Sequence, residues 1–142
     1  MTGDHARVGD CMHAGIVSCA ADAPLAEVAR IMGDHRVHVV AVADLGHGRP
    51  YGNWRLVSHM DVVAAIATGQ AVLAREVAAT EATRISAGDP LERAAELMSE
   101  HAVSHLLVVD PSGDYPVGII STLDVISAFG GSQHWGPAKN AF

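Results

Sequence analysis

Apolar positions recur at helical spacing in two places along the chain. Leu25, Val28, Ala29 and Met32 fall on one face of a helix, and Leu91, Ala94, Ala95 and Met98 do the same. Pro24 stands at the first helical position of the earlier stretch, where its missing N–H costs nothing. Asp89 reads as the N-cap of the later one, with Glu92 placed to close a capping box. Val37 to Ala43 is apolar and rich in β-branched residues, which predicts a buried strand; Ile16 to Cys19 and Trp54 to Val57 predict two more. Residues 44–53, with Gly46, Gly48, Pro50 and Gly52, predict a loop, and Asp110 to Asp114 predicts a hairpin turn. Ser58 opens a helix that ends near Gly69, and residues 70–79 read as a connecting helix.

The two halves carry one pattern. Leu25, Val28, Ala29 and Met32 map onto Leu91, Ala94, Ala95 and Met98 at an offset of 66, and so do His35 on His101, Val37 on Val103 and Asp44 on Asp110. After the loop the offset becomes 63, because the first loop is three residues longer; Ser58 then maps onto Ser121 and Asp61 onto Asp124. A register held over four elements indicates an internal repeat. The fold class expected is α+β, with two β-α-β-β-α repeats related by pseudo-two-fold symmetry, their sheets packed together and helices outside. Residues 1–69 form the first repeat, 70–130 the connecting helix and second repeat, and 131–142 a tail that is mobile or docks on a partner.

The chemistry concentrates at the end of each repeat. Gly118-Ile119-Ile120-Ser121-Thr122-Leu123-Asp124 reads as an apolar strand turning directly into a helix, with a hydroxyl and a carboxylate three residues apart. A helix start presents unpaired N–H groups and a partial positive charge, which suit an anion. Asp124 lies one turn in, placed to receive two neighbouring hydroxyls such as those of a ribose. Arg55-Leu56-Val57-Ser58-His59-Met60-Asp61 is the earlier copy, with Arg55 where Gly118 stands. The same Ser-x-x-Asp is also a capping box, a use that needs no ligand and competes with the first. The bulk of Arg55 favours the Asp124 site if one site alone is filled.

Composition narrows the classes. At 142 residues and 49% hydrophobic, the chain can bury a core without disulfide or metal. A formal charge of −7 disfavours nucleic acid and anionic membrane as partners, since both need a positive field. No apolar run approaches the about 18 residues that span a bilayer, and the start has no apolar signal core, so a cytoplasmic protein with Cys11 and Cys19 reduced is expected. Nine histidines raise a metal reading, but no His pair with a supporting carboxylate motif is present, and none is assigned. Nucleophile elbow, Walker loop and activated cysteine are all missing from the sequence, so no catalytic residue is assigned either.

Over roughly residues 8–130 this pattern resembles a tandem cystathionine β-synthase (CBS) domain pair, or Bateman module. The likeness rests on the repeated helix face, on Val108-Val109-Asp110 and on Gly118-x-x-Ser121-x-x-Asp124. The resemblance implies a stand-alone regulatory or sensor module, not an enzyme, that binds an adenosyl ligand (AMP, ADP, ATP or S-adenosylmethionine) in clefts between the repeats. It implies no required cofactor, homodimerisation through the helices, and an effector protein that reads the conformational change. Ser121, Thr122, Asp124 and Gly118 would form one nucleotide site, and Ser58 with Asp61 the other. Val17, Thr83, Val39 and His105 would line the base pockets. Asp34 to His38 is also similar to the His-Arg segment of AMP-activated kinase gamma subunits, which makes His35 and Arg36 candidate phosphate contacts. The alternative is a ligand-free dimerisation module with degenerate pockets.

Overall fold

The computed structural model describes residues 6–44, 53–69, 72–78, 81–113 and 115–131. Residues 45–52 of the expected loop and 132–142 of the expected tail lie outside these. In chain order the elements are α1 (Val8–Cys11), β1 (His13–Ala14), β2 (Ser18–Ala20), α2 (Leu25–His35), β3 (Val39–Asp44), β4 (Asn53–Ser58), α3 (His59–Thr68), α4 (Ala74–Val77), β5 (Arg84–Ser86), α5 (Leu91–His101), β6 (His105–Val109), β7 (Pro116–Ser121) and α6 (Thr122–Phe129). The fold is mixed α+β, and both repeats run β-α-β-β-α, as β2 to α3 and β5 to α6.

The repeat extends to strand register. β2 lies parallel to β3 with Ser18 opposite Ala41, and β5 lies parallel to β6 with Arg84 opposite Leu107, both partners displaced by 66. β3 then turns back antiparallel on β4, and β6 on β7. The resulting sheets are ordered β2-β3-β4 and β1-β7-β6-β5. Parallel strands joined through a helix, followed by a hairpin, give each helix pair one sheet face to cover.

Residues 6–16, where the sequence carries little pattern, depart most from expectation. They cluster with the second repeat, while residues 72–78 and 81–82 cluster with the first. Each compact unit is therefore one repeat plus the segment that precedes the other. The two exchanged segments are themselves copies at an offset of 66. Val8 N–H donates to Asp89 O and Gly9 N–H to Ala87 O; Ala74 N–H donates to Ala23 O and Arg75 N–H to Ala21 O. In both segments an acidic side chain closes the single turn, Asp10 taking the N–H of Arg7 at 3.2 Å and Glu76 that of Leu73 at 2.8 Å. The expected connecting helix over 70–79 is thus the one turn Ala74–Val77 among the described residues.

This exchange also corrects the helix starts. Pro24 and Pro90 are N-caps rather than first helical residues, each extended (ψ 155° and 152°) and without a side-chain cap. Asp89 instead accepts from Ser86 N–H. The first helical N–H groups find crossing backbone: Leu91 N–H donates to Ala6 O and Leu25 N–H to Val72 O, each at 3.0 Å. A carbonyl supplied by the other segment removes the need for a capping side chain.

In the second-repeat unit, Val8 of the crossing turn packs into the core with Ile85, Leu91, Leu97, Met98, Leu106, Val108 and Ile120. In the other, Val28, Val40, Val42, Val57 and Ala74 are fully buried. Both α2 and α5 end on a non-glycine residue in the left-handed region, Arg36 and Ala102, each at φ 55°. That conformation costs an L-residue about 1 kcal/mol or more. Ala102→Gly is expected to raise the melting temperature by about 2–4 °C, with glycine's greater unfolded-state entropy offsetting part of the gain; an unchanged or lower value in a thermal melt would contradict this.

Candidate functional site

Each repeat brings a serine and an aspartate together where its last strand becomes its last helix. In the second, Ser121 is the N-cap of α6, and its Oγ accepts from Asp124 N–H at 3.3 Å. Asp124 Oδ2 returns the contact, accepting from Ser121 N–H at 2.8 Å and from its hydroxyl at 3.0 Å. In the first, Asp61 Oδ2 accepts from Ser58 N–H at 2.9 Å and Ser58 Oγ from Asp61 N–H at 3.2 Å. The capping use is therefore realised at both junctions.

The other sequence-predicted residues divide between the two units. His105 stands opposite Ser121 in the β6–β7 ladder, and Thr83 lends its carbonyl to Leu107 N–H at the base of β5. Val39 stands opposite Ser58, and Val17 lends its carbonyl to Ala41 N–H. Val39 is fully buried in the sheet, whereas His105 is half-buried with Nδ1 2.8 Å from Ser104 Oγ. Thr122 is exposed, its N–H taken by Ser104 O. His35 and Arg36 close α2 and are exposed.

The two junctions differ in what covers them. β1 runs antiparallel over β7, with Ala14 opposite Gly118. A Cβ at Gly118 would lie 2.5 Å from His13 O and 2.7 Å from Met12 Sδ, so only glycine admits the strand. From β1, His13 Nε2 reaches Asp124 Oδ1 at 3.2 Å. Ser121 and Asp124 are 4% and 6% exposed. Burial, together with the Asp10 and Asp124 carboxylates, pushes the Cys11 thiol up; burial, with Glu27, does the same to Cys19. In the first repeat, Arg55 at the place of Gly118 pairs through its backbone with Glu81 in an isolated antiparallel β-bridge and donates from Nη1 to Ala78 O. Asp61 and Ser58 remain half-buried.

His13 was missed in the sequence because its partner lies more than a hundred residues away and nothing local marks the pairing. Gly118 was the available signal: its close backbone approach was legible, but not the identity of what approaches.

A second difference lies between the helices. A groove of about 460 Å³ on the second-repeat unit is lined by Met98, Ala102, Val103, Ser104, Thr122 and Val125. At the places of Ser104 and Thr122 the first repeat has His38 and His59, whose rings meet edge to face at 4.9 Å. Beside these positions each last helix exposes an apolar stripe: Met60, Val63 and Ile66 on α3, and Leu123, Ile126 and Phe129 on α6, between 42% and 91% exposed. Among the described residues no three His, Cys, Asp or Glu side chains gather as a metal site, and no helix is long and apolar enough to cross a membrane.

The family model described as CBS domain matches residues 8–53 and 74–131. No curated protein sequence matches the chain. Among solved structures, the chain is similar to the CBS domain pair of protein MJ0100 in complex with 5′-methylthioadenosine and S-adenosyl-L-methionine, at TM-score 0.76 and 22% identity over 90% of this chain and 98% of that one. It is also similar to the CBS domain protein PAE2072 from Pyrobaculum aerophilum complexed with AMP, at TM-score 0.71 and 24% identity over 84% and 89%. A hexameric CBS-CP12 protein from bloom-forming cyanobacteria matches at TM-score 0.74 and 18% identity over 85% and 66%.

The unequal burial predicts unequal costs. Asp124→Ala removes a cap contact and leaves the buried Ser121 N–H unpaired, at about 2–3 kcal/mol; Asp61→Ala, at a half-buried cap, costs about 1 kcal/mol. Equal losses in denaturant unfolding would contradict the different roles of the two carboxylates.

Proposed function

The chain belongs to the CBS domain family, and from that membership we propose that it is a regulatory module that binds an adenosyl ligand and signals by a change of conformation. The observation that carries the reading is the recurrence of one junction, Ser58-x-x-Asp61 and Ser121-x-x-Asp124, at the start of a helix in both repeats. A helix start offers N–H dipoles to a phosphate, and a carboxylate in its first turn offers acceptors to a ribose diol. The solved relatives that hold S-adenosyl-L-methionine, 5′-methylthioadenosine and AMP share the ribosyl adenine group. Gly118, Thr122, Thr83 and His105 would flank the second-repeat site, and Val17, Val39, His35 and Arg36 the first. No residue is assigned a catalytic step, and the setting proposed is cytoplasmic.

The output is proposed to be intermolecular. The apolar stripes on α3 and α6 are the surfaces offered to a second copy: exposed Met60, Val63 and Ile66, and Leu123, Ile126 and Phe129, spaced i, i+3 and i+6, gain by leaving water. An effector protein would then read the dimer's ligand-dependent shape.

Two measurements test these readings. In a thermal-shift panel of AMP, ADP, ATP, S-adenosylmethionine and 5′-methylthioadenosine, one ligand at 100 times its Kd should add about 2.7 kcal/mol to stability. If none moves the melting temperature, the ligand-free scaffold replaces the sensor. By light scattering, the wild type should have the mass of a dimer, and Ile66→Asp with Ile126→Asp should lower it towards that of one chain; an unchanged mass in the double variant would remove the stripes from the interface.

A further inference from the structure

On the adenosyl reading above, we propose that His13 is a built-in competitor for the Asp124 carboxylate, so that a ligand's diol enters the second repeat only when the imidazole leaves. Asp124 Oδ2 takes the Ser121 N–H and hydroxyl, and Oδ1 faces the buried His13 Nε2 at 3.2 Å, a contact that is close but not aligned as a hydrogen bond. The Asp124 side chain is only 4% exposed and that of His13 17%, so a diol that reaches Oδ1 has to displace the imidazole it faces.

The backbone that carries His13 is fixed. Ala14 pairs with Gly118, Gly15 N–H donates to Val117 O at 2.9 Å, and the missing Cβ of Gly118 lets the strand lie against β7. The side chain is the part that can move, by rotation about its own bonds. In the first repeat, Asp61 Oδ1 makes no hydrogen bond or ion pair with the described residues, and the aspartate is half-buried. Among the described residues the two repeats are thereby unequal, Asp124 Oδ1 facing an imidazole and Asp61 Oδ1 facing no donor. This reverses the order expected from the bulk of Arg55.

The test is calorimetric titration of AMP, with S-adenosylmethionine as second probe, in the full chain carrying Asp61→Asn. Adding His13→Ala should lower Kd by about tenfold, the factor by which a one-tenth population of the open rotamer weakens binding. His13→Gln, which keeps a donor facing Asp124, should bind nearer to the Asp61→Asn protein, and Asp124→Asn should abolish the gain. If His13→Ala binds no tighter, or more weakly because the imidazole itself contacts the ligand, the proposal is overturned while the sensor reading stands. If neither the wild type nor His13→Ala takes up either probe, the sensor reading falls and this proposal with it; uptake by the wild type but by no Asp61→Asn protein overturns this proposal alone.

Discussion

One carboxylate in each repeat takes the N–H of the serine three residues before it, and the strand–helix junction depends on that contact. Without it the last strand would end on an unpaired donor, and the first turn of α3 or α6 would lose one half of its capping box. It also fixes the aspartate side chain at the helix start, beside the partial positive charge that any anion there would use. Stability and candidate chemistry thus share one group. A ligand can use only the acceptor capacity that folding leaves over, and that remainder differs between Asp61 and Asp124.

The exchange of preceding segments is the second constraint. Each segment lends backbone carbonyls to the other repeat's long helix, which is how Pro24 and Pro90 can be N-caps with no capping side chain. The same exchange lays β1 along β7 and puts a histidine on Asp124. In the first repeat the corresponding crossing is the isolated bridge between Arg55 and Glu81. A duplicated sequence has in this way acquired two unlike junctions. Gly118 against Arg55, and Ser104 and Thr122 against His38 and His59, are the substitutions that separate them.

Much of the architecture was legible in sequence because it is local and repeated. Helix faces at 3.6-residue spacing, β-branched runs and the Ser-x-x-Asp junctions placed α2, β3, β4, α3 and their copies, and the offset of 66 proved to be the register of the parallel strands. The short turns α1 and α4 were not legible, since four residues carry no period and their hydrogen bonds go to the other repeat. The Asp89 cap was misread for the same reason: a local motif predicted a side-chain partner where a distant carbonyl stood. At the site, the capping and binding uses of Asp124 could not be separated without knowing that His13 lies against it.

The Ser-x-x-Asp junctions are proposed to receive a ribosyl adenine ligand. The most direct measurement is amide chemical-shift mapping of the wild-type chain during titration with AMP. The largest changes are expected at residues 58–61, with changes at 121–124 accompanied by movement of the His13 ring signals. Saturable binding that leaves both junctions unperturbed would contradict it.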